Sequence, residues 1–183
     1  RFTGALEPLT EVKVAYFEHE RRELVGLNYA ETVRTPLAIV GGPAKAGPYD
    51  GGEADALGYV SYFAELIDEW AQEADADDRL FRLGVSMLDA LAAGAPVEPL
   101  ARYFEYWLLR LQGVYPESSG RLSADAMAFL EASRSMAPTH ARDLPAAHGV
   151  LKELENVHRA LITMHLEKTL KSDRVLRDLR RLG

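Results

Sequence analysis

Six basic residues, Lys168, Lys171, Arg174, Arg177, Arg180 and Arg181, crowd the last sixteen positions of this chain, against only two acidic ones, Asp173 and Asp178. The first five recur every third residue. Their stretch carries a balance of plus four in a chain of net charge −7, so everything before Lys168 sums to −11. Cations repeated along one side of a helix suit an anionic partner, either phosphates or carboxylates. Cations in a last turn also complement the helix dipole by about 0.3–1 kcal/mol each, but that effect fades beyond the last turn. A helix running to Leu179 leaves Lys168 and Lys171 several turns from its end, where the dipole does not account for them. Glu167, Asp173 and Asp178 can absorb part of the charge. Spacing alone leaves phosphate contact and a solvated face both open.

Other residue types with chemical potential form no recognisable catalytic set. The histidines (His19, His140, His148, His158, His165) lack the paired spacing around a glutamate that zinc hydrolases use. His158 and His165 share a helix face two turns apart, where packing or surface positions are the simpler reading. Glu65, Asp68, Glu69, Glu73, Asp75, Asp77 and Asp78 fall on the polar side of a helix and in the loop after it. Acid–base work needs carboxylates buried enough to split their pKa values, so a solvated face or a docking surface for a basic partner is expected. Neither Gly41-Gly42 nor Gly51-Gly52 is followed by the Lys-Ser/Thr of a phosphate loop, and both read as linker. Phe104 and Trp107 take core positions, and Tyr106 is left open. The chain has no cysteine, which excludes disulfides and thiolate metal sites.

The elements that must position these residues change character near residue 40. Val12–Phe17 and Leu24–Tyr29 are β-branched, aromatic and partly alternating, and predict two antiparallel strands joined by a charged tip at Glu18–Glu23. A lone hairpin is marginal in water and must pack on the helices or on further strands. From Leu57 onward the 3.6 period holds: helices are expected over Leu57–Trp70, Leu80–Leu91, Leu100–Leu111 (closed by Gly113) and Ser123–Ser135 (capped by Ser123). A single long helix is expected from Ala147 to Leu179, with Val157, Met164 and Leu170 among its core positions. The fold class is α+β: a partial β element over 1–40, a linker over 41–56 and a helical bundle over 57–183. No apolar run approaches the roughly 20 residues that span a bilayer.

Four segments in order resemble the bacterial RecO family of recombination and DNA repair proteins. They are Arg1–Leu9 with the hairpin after it; Tyr62–Ile67 with Arg79–Gly84 and Leu88–Leu91; Tyr103–Pro116, close to the family's Phe-Glu-x-x-Leu-Leu, Gly and Pro pattern; and the terminal His165-Leu166, Lys171-Ser172, Arg174 and Leu176. The resemblance implies that the β element is the later part of an OB-fold barrel, whose first strands precede Arg1. It implies a non-enzymatic mediator, cytoplasmic and nucleoid-associated, without a cofactor and without a membrane segment. Such proteins bind single- and double-stranded DNA, anneal strands and assist RecA loading onto protein-coated single strands. Their partners are RecR and the acidic C-terminal tail of single-strand-binding protein. Many members carry a four-cysteine zinc site after the Gly-x-x-Pro turn; here Glu117–Leu122 holds no cysteine, so no such zinc site is expected. Lys171 and Arg174 match the family motif and are the preferred contacts for the anionic partner. Lys168 and Arg177 extend the stripe by spacing, and Lys13, Arg21 and Arg22 are candidates on the barrel side. With an incomplete barrel, a helical module that binds partners without DNA is the alternative.

Overall fold

Strand-forming residues pair Glu11–Phe17 (β1) with Gly26–Arg34 (β2) in an antiparallel ladder that sets Val14 against Ala30 and Lys13 against Glu31. The computed structural model of the chain describes residues 7–18, 25–36, 51–73, 75–116 and 122–182, with only the backbone described for 51–55 and 179–182. Helices follow the hairpin: α1 (Gly51–Trp70), α2 (Asp78–Ala92), α3 (Val97–Leu111), α4 (Ala124–Ser135), a short 3-10 helix (Pro138–Asp143), α5 (His148–Leu166) and α6 (Lys171–Leu182). The chain is thus α+β, mostly helical behind one hairpin. Arg34 fastens that hairpin to the helices. Its guanidinium reaches Glu11 at 2.7 Å and also pairs with Asp89 of α2.

The central helix is α3, against which α1, α2, α4 and α5 all pack. Its 3.6-residue spacing places Leu100, Phe104 and Leu108 in line, and none of the three is exposed. Phe63 and Leu66 of α1, Met87 of α2, Phe129 of α4 and Leu154 of α5 close around them. The Phe63 and Phe104 rings meet tilted, with centroids 4.9 Å apart. Each large side chain buried this way contributes about 1.5–3 kcal/mol.

Helix ends follow their residues. Asp77 caps α2 by accepting from the N–H groups of Arg79 and Leu80 at 2.9 and 3.1 Å. Ser123 caps α4 through Ala126 N–H at 3.2 Å. Gly94 and Gly113 sit at φ +72° and +68° and close α2 and α3. After α3, the Val114 N–H returns to the Leu109 carbonyl at 2.9 Å and the Gly113 N–H to Arg110 at 3.0 Å. A side chain at such a left-handed position would strain the turn.

Three expectations change. The single final helix is two helices, because Glu167 adopts φ 55°, ψ 20° and ends α5. Gly51-Gly52 open α1 instead of lying in a linker, a place where glycine loses little because first-turn N–H groups are unpaired anyway. Met164 (68% exposed) and Leu57 (40%) face outward, since α5 and α1 bury narrower stripes than their apolar content suggests. The expected hairpin tip lies outside the described residues apart from Glu18, and β2 extends beyond Tyr29 to Arg34.

Candidate anionic-partner interface

The basic C-terminal segment is held in place by an acidic residue on another helix. Glu65 of α1 accepts the Lys171 N–H at 2.9 Å and the Ser172 N–H at 2.8 Å, and also takes the Ser172 hydroxyl. These are the orphan donors of the first turn of α6, so a carboxylate from α1 fills the place a local N-cap side chain would take. Burial alone would raise the Glu65 carboxyl; the hydrogen bonds from Ser172 and Lys171 outweigh it and hold the group below its ordinary value. Leu170 and Leu176 pin the helix from its apolar side, both nearly buried. Just upstream, His165 stacks flat on Trp70, with centroids 5.7 Å apart and planes 5° apart.

The break at Glu167 divides the basic stripe. Lys168 precedes α6 and pairs with Glu69 of α1. Arg177 pairs with Asp173 one turn earlier at 2.8 Å, and Asp173 also holds Arg159 of α5 at 3.1 Å. Two of the four expected contacts are therefore engaged inside the molecule. Lys171 and Arg174 are exposed, and neither side chain has an ion-pair partner among the described residues. Lys13 is exposed on β1 opposite Glu31, remote in sequence from the others. Arg21 and Arg22 lie outside the described residues, as do the side chains of Arg180 and Arg181. Because Glu65 already occupies the N-terminus of α6, an anionic partner must reach these cations by their side chains.

Behind α6 lies a buried polar network that spacing did not reveal. Glu105 of α3, 1% exposed, accepts from Tyr62 Oη at 2.8 Å, Arg102 Nη2 at 2.9 Å and His158 Nδ1 at 2.9 Å. With Nδ1–H on Glu105, His158 Nε2 is free to accept from Tyr115 Oη at 3.3 Å. Burial pushes the His158 imidazole below its ordinary value, more than the neighbouring Glu105 raises it. Burial likewise raises the Tyr62 phenol. Both ring nitrogens of His158 are spent, and no cluster of metal-ligating residues occurs among the described residues. The signal available in the sequence was the i,i+3 pair Arg102 and Glu105 on α3.

Arg102, 4% exposed, borders a cavity of about 160 Å³ with Tyr59, Glu98, His148, Leu151, Lys152 and Glu155. Its Nη1 is buried without a hydrogen-bond partner, 4.0 Å from Glu155 Oε2. Glu155 is itself bound by Arg159 and, at 3.5 Å, by Lys152. A small carboxylate entering here would meet a buried guanidinium N–H that lacks an acceptor. A larger apolar hollow of about 680 Å³ opens between the base of the hairpin and α1–α2, floored by Leu9, Ile67, Leu80 and Leu88 and edged by Glu11, Glu65 and Asp68. Its edge is acidic, the wrong sign for an acidic peptide. No described helix is long and apolar enough to cross a membrane.

Comparison with known proteins agrees with the motif order. Residues 52–122 match the family model for the C-terminal region of recombination protein O. The DNA repair protein RecO of Koribacter versatilis is 38% identical over 117 residues, covering 64% of this chain and 43% of that protein. RecO of Anaeromyxobacter sp. strain K is 33% identical over 165 residues, covering 84% of this chain and 61% of that protein. RecO of Geobacter sulfurreducens is 35% identical over 130 residues, 70% of this chain and 45% of that protein. The chain thus spans roughly half the length of these curated relatives. No solved structure gives a significant match. The helical core built around α3, the Tyr103–Pro116 motif it carries and these matches together place residues 52–122 in the C-terminal region of the RecO family.

Proposed function

We propose that this chain is the part of a non-enzymatic DNA repair and recombination mediator that contacts anionic partners through α6. The observation that carries the proposal is the pair Lys171 and Arg174, exposed on α6, whose one other described basic side chain, Arg177, is engaged with Asp173. Phosphate neutralisation needs only local charge within roughly a Debye length, about 8–10 Å, so the overall acidity of the chain is no obstacle. In this reading the protein binds and anneals DNA and assists the loading of RecA onto single strands coated by single-strand-binding protein, with RecR as partner. The acidic tail of single-strand-binding protein is a second ligand. The cavity beside Arg102 offers its terminal carboxylate the unmatched Nη1, although Glu98 and Glu155 share the lining. The proposed division is a β element over 1–40 and a helical unit that opens with α1 at Gly51.

A second reading keeps the partner contacts and drops DNA binding. It is favoured by the hairpin, which exposes Val14, Tyr16, Tyr29 and Val33, as a piece of a larger sheet does. Fluorescence anisotropy of a labelled single strand, titrated with the protein at several salt concentrations, separates the two. Binding that weakens steeply with salt supports the mediator; binding of an acidic tail peptide without DNA binding supports the partner-only module.

A further inference from the structure

A second cationic feature stands on α3 and α4, whereas α6 packs on α1. The side chain of Tyr106 is fully buried, and its hydroxyl oxygen accepts from Arg110 Nη1 at 2.9 Å and from Arg134 Nε at 2.6 Å. Arg110 also lies over the Trp107 ring, 5.6 Å from its centroid, and Arg134 over Tyr106 at 6.0 Å. Two like charges tethered to one oxygen repel each other. Among the described residues only Glu131, 2.8 Å from Arg134 Nη1, offsets either of them. Arg110 is exposed, with no acidic partner there.

We propose that Arg110 and Arg134 form a cradle for a phosphodiester of single-stranded nucleic acid, with an unpaired base stacking on the Arg110–Trp107 face. The tethers to Tyr106 fix both guanidinium groups before a ligand arrives, so little side-chain freedom is lost when an anion bridges them. Trp107 is fixed too: its Nε1 donates to the Ser133 carbonyl at 3.1 Å. Guanidinium planes and indole rings both accept a stacked base irrespective of sequence. An acidic peptide could satisfy the two charges but has no base to stack on the Arg110–Trp107 face, and among the described residues the two cavities described above are lined by none of Arg110, Trp107 or Arg134.

This inference rests on the reading that the chain binds DNA, and adds a contact on separate helices. The test uses the Trp70→Phe protein, which leaves Trp107 as the sole tryptophan. A labelled dT oligonucleotide is titrated in while anisotropy and Trp107 emission are recorded together. The expected result is quenching in step with binding. Arg110→Gln with Arg134→Gln should remove the quenching and flatten the slope of log K against log salt by about 0.7, the loss of one neutralised phosphate. If that double variant fails to fold, Arg110→Gln alone, at an exposed position, should remove the quenching and weaken binding at low salt. Binding with Trp107 emission and salt slope unchanged in the variants overturns the cradle and leaves DNA binding through α6 intact. Quenching by a Glu-rich peptide but not by the oligonucleotide overturns it in favour of a protein partner. Absence of any binding by the parent chain sinks this inference together with the function it rests on.

Discussion

Lys171 and Arg174 differ from their basic neighbours in what surrounds them. Lys168 and Arg177 face Glu69 and Asp173, so moving either toward a phosphate first breaks an ion pair. Lys171→Ala with Arg174→Ala therefore removes charge without removing packing. The expected outcome is weaker single-strand binding and a salt slope flattened by about 1.4, measured by anisotropy, with a melting temperature close to the parent's. Glu105 is the opposite case, because it anchors Tyr62, Arg102 and His158 out of water. Glu105→Ala leaves the Arg102 charge buried and should destabilise by about 3–5 kcal/mol in urea unfolding. His158 adds a pH dependence. Its folded-state pKa is depressed below 6.5, so the unfolded chain takes up the proton first. Stability is then complete above that value and declines as pH falls through it.

At the scale of elements, α6 is a helix whose start is set by a residue more than a hundred positions away. Glu65→Ala removes a charged acceptor from three donors, and a loss of about 1–3 kcal/mol is expected. Hydrogen exchange should show the first turn of α6 opening ahead of the core. Because the Glu65 carboxyl is depressed when folded, its contribution is present above pH 4.5 and disappears as pH falls through the lower folded value. This element also shows what the sequence could carry. Helices α2, α3 and α4 were legible because local signals fix them: Asp77, Ser123, Gly94 and Gly113 mark their ends. The break before α6 was not, because Glu167 enters the left-handed region without being glycine and the capping carboxylate comes from α1. Ser172-Asp173 did carry a helix-start signature, but the uninterrupted basic spacing ran across it.

For the whole molecule, the net charge of −7 conceals a division between an acidic body and a basic end, and that division was readable from the order of charges along the sequence. The placement of candidate residues was only partly readable. Lys171 and Arg174 stood out by motif, whereas the cavity at Arg102 and the Arg110–Arg134 pair depend on contacts between helices that no periodicity encodes. Glu65, placed by sequence on a solvated face, serves instead as a cap, because α6 folds back onto α1. In the proposed function, α6 delivers local positive charge to DNA. This is tested most directly by titrating a labelled single strand with the parent chain and with Lys171→Ala/Arg174→Ala from low to physiological salt. The expected result is binding by the parent at low salt, with log K falling linearly against log salt and the variant's slope shallower by about 1.4. An absence of binding by the parent at the lowest salt, or the same affinity and slope for both proteins, would contradict it.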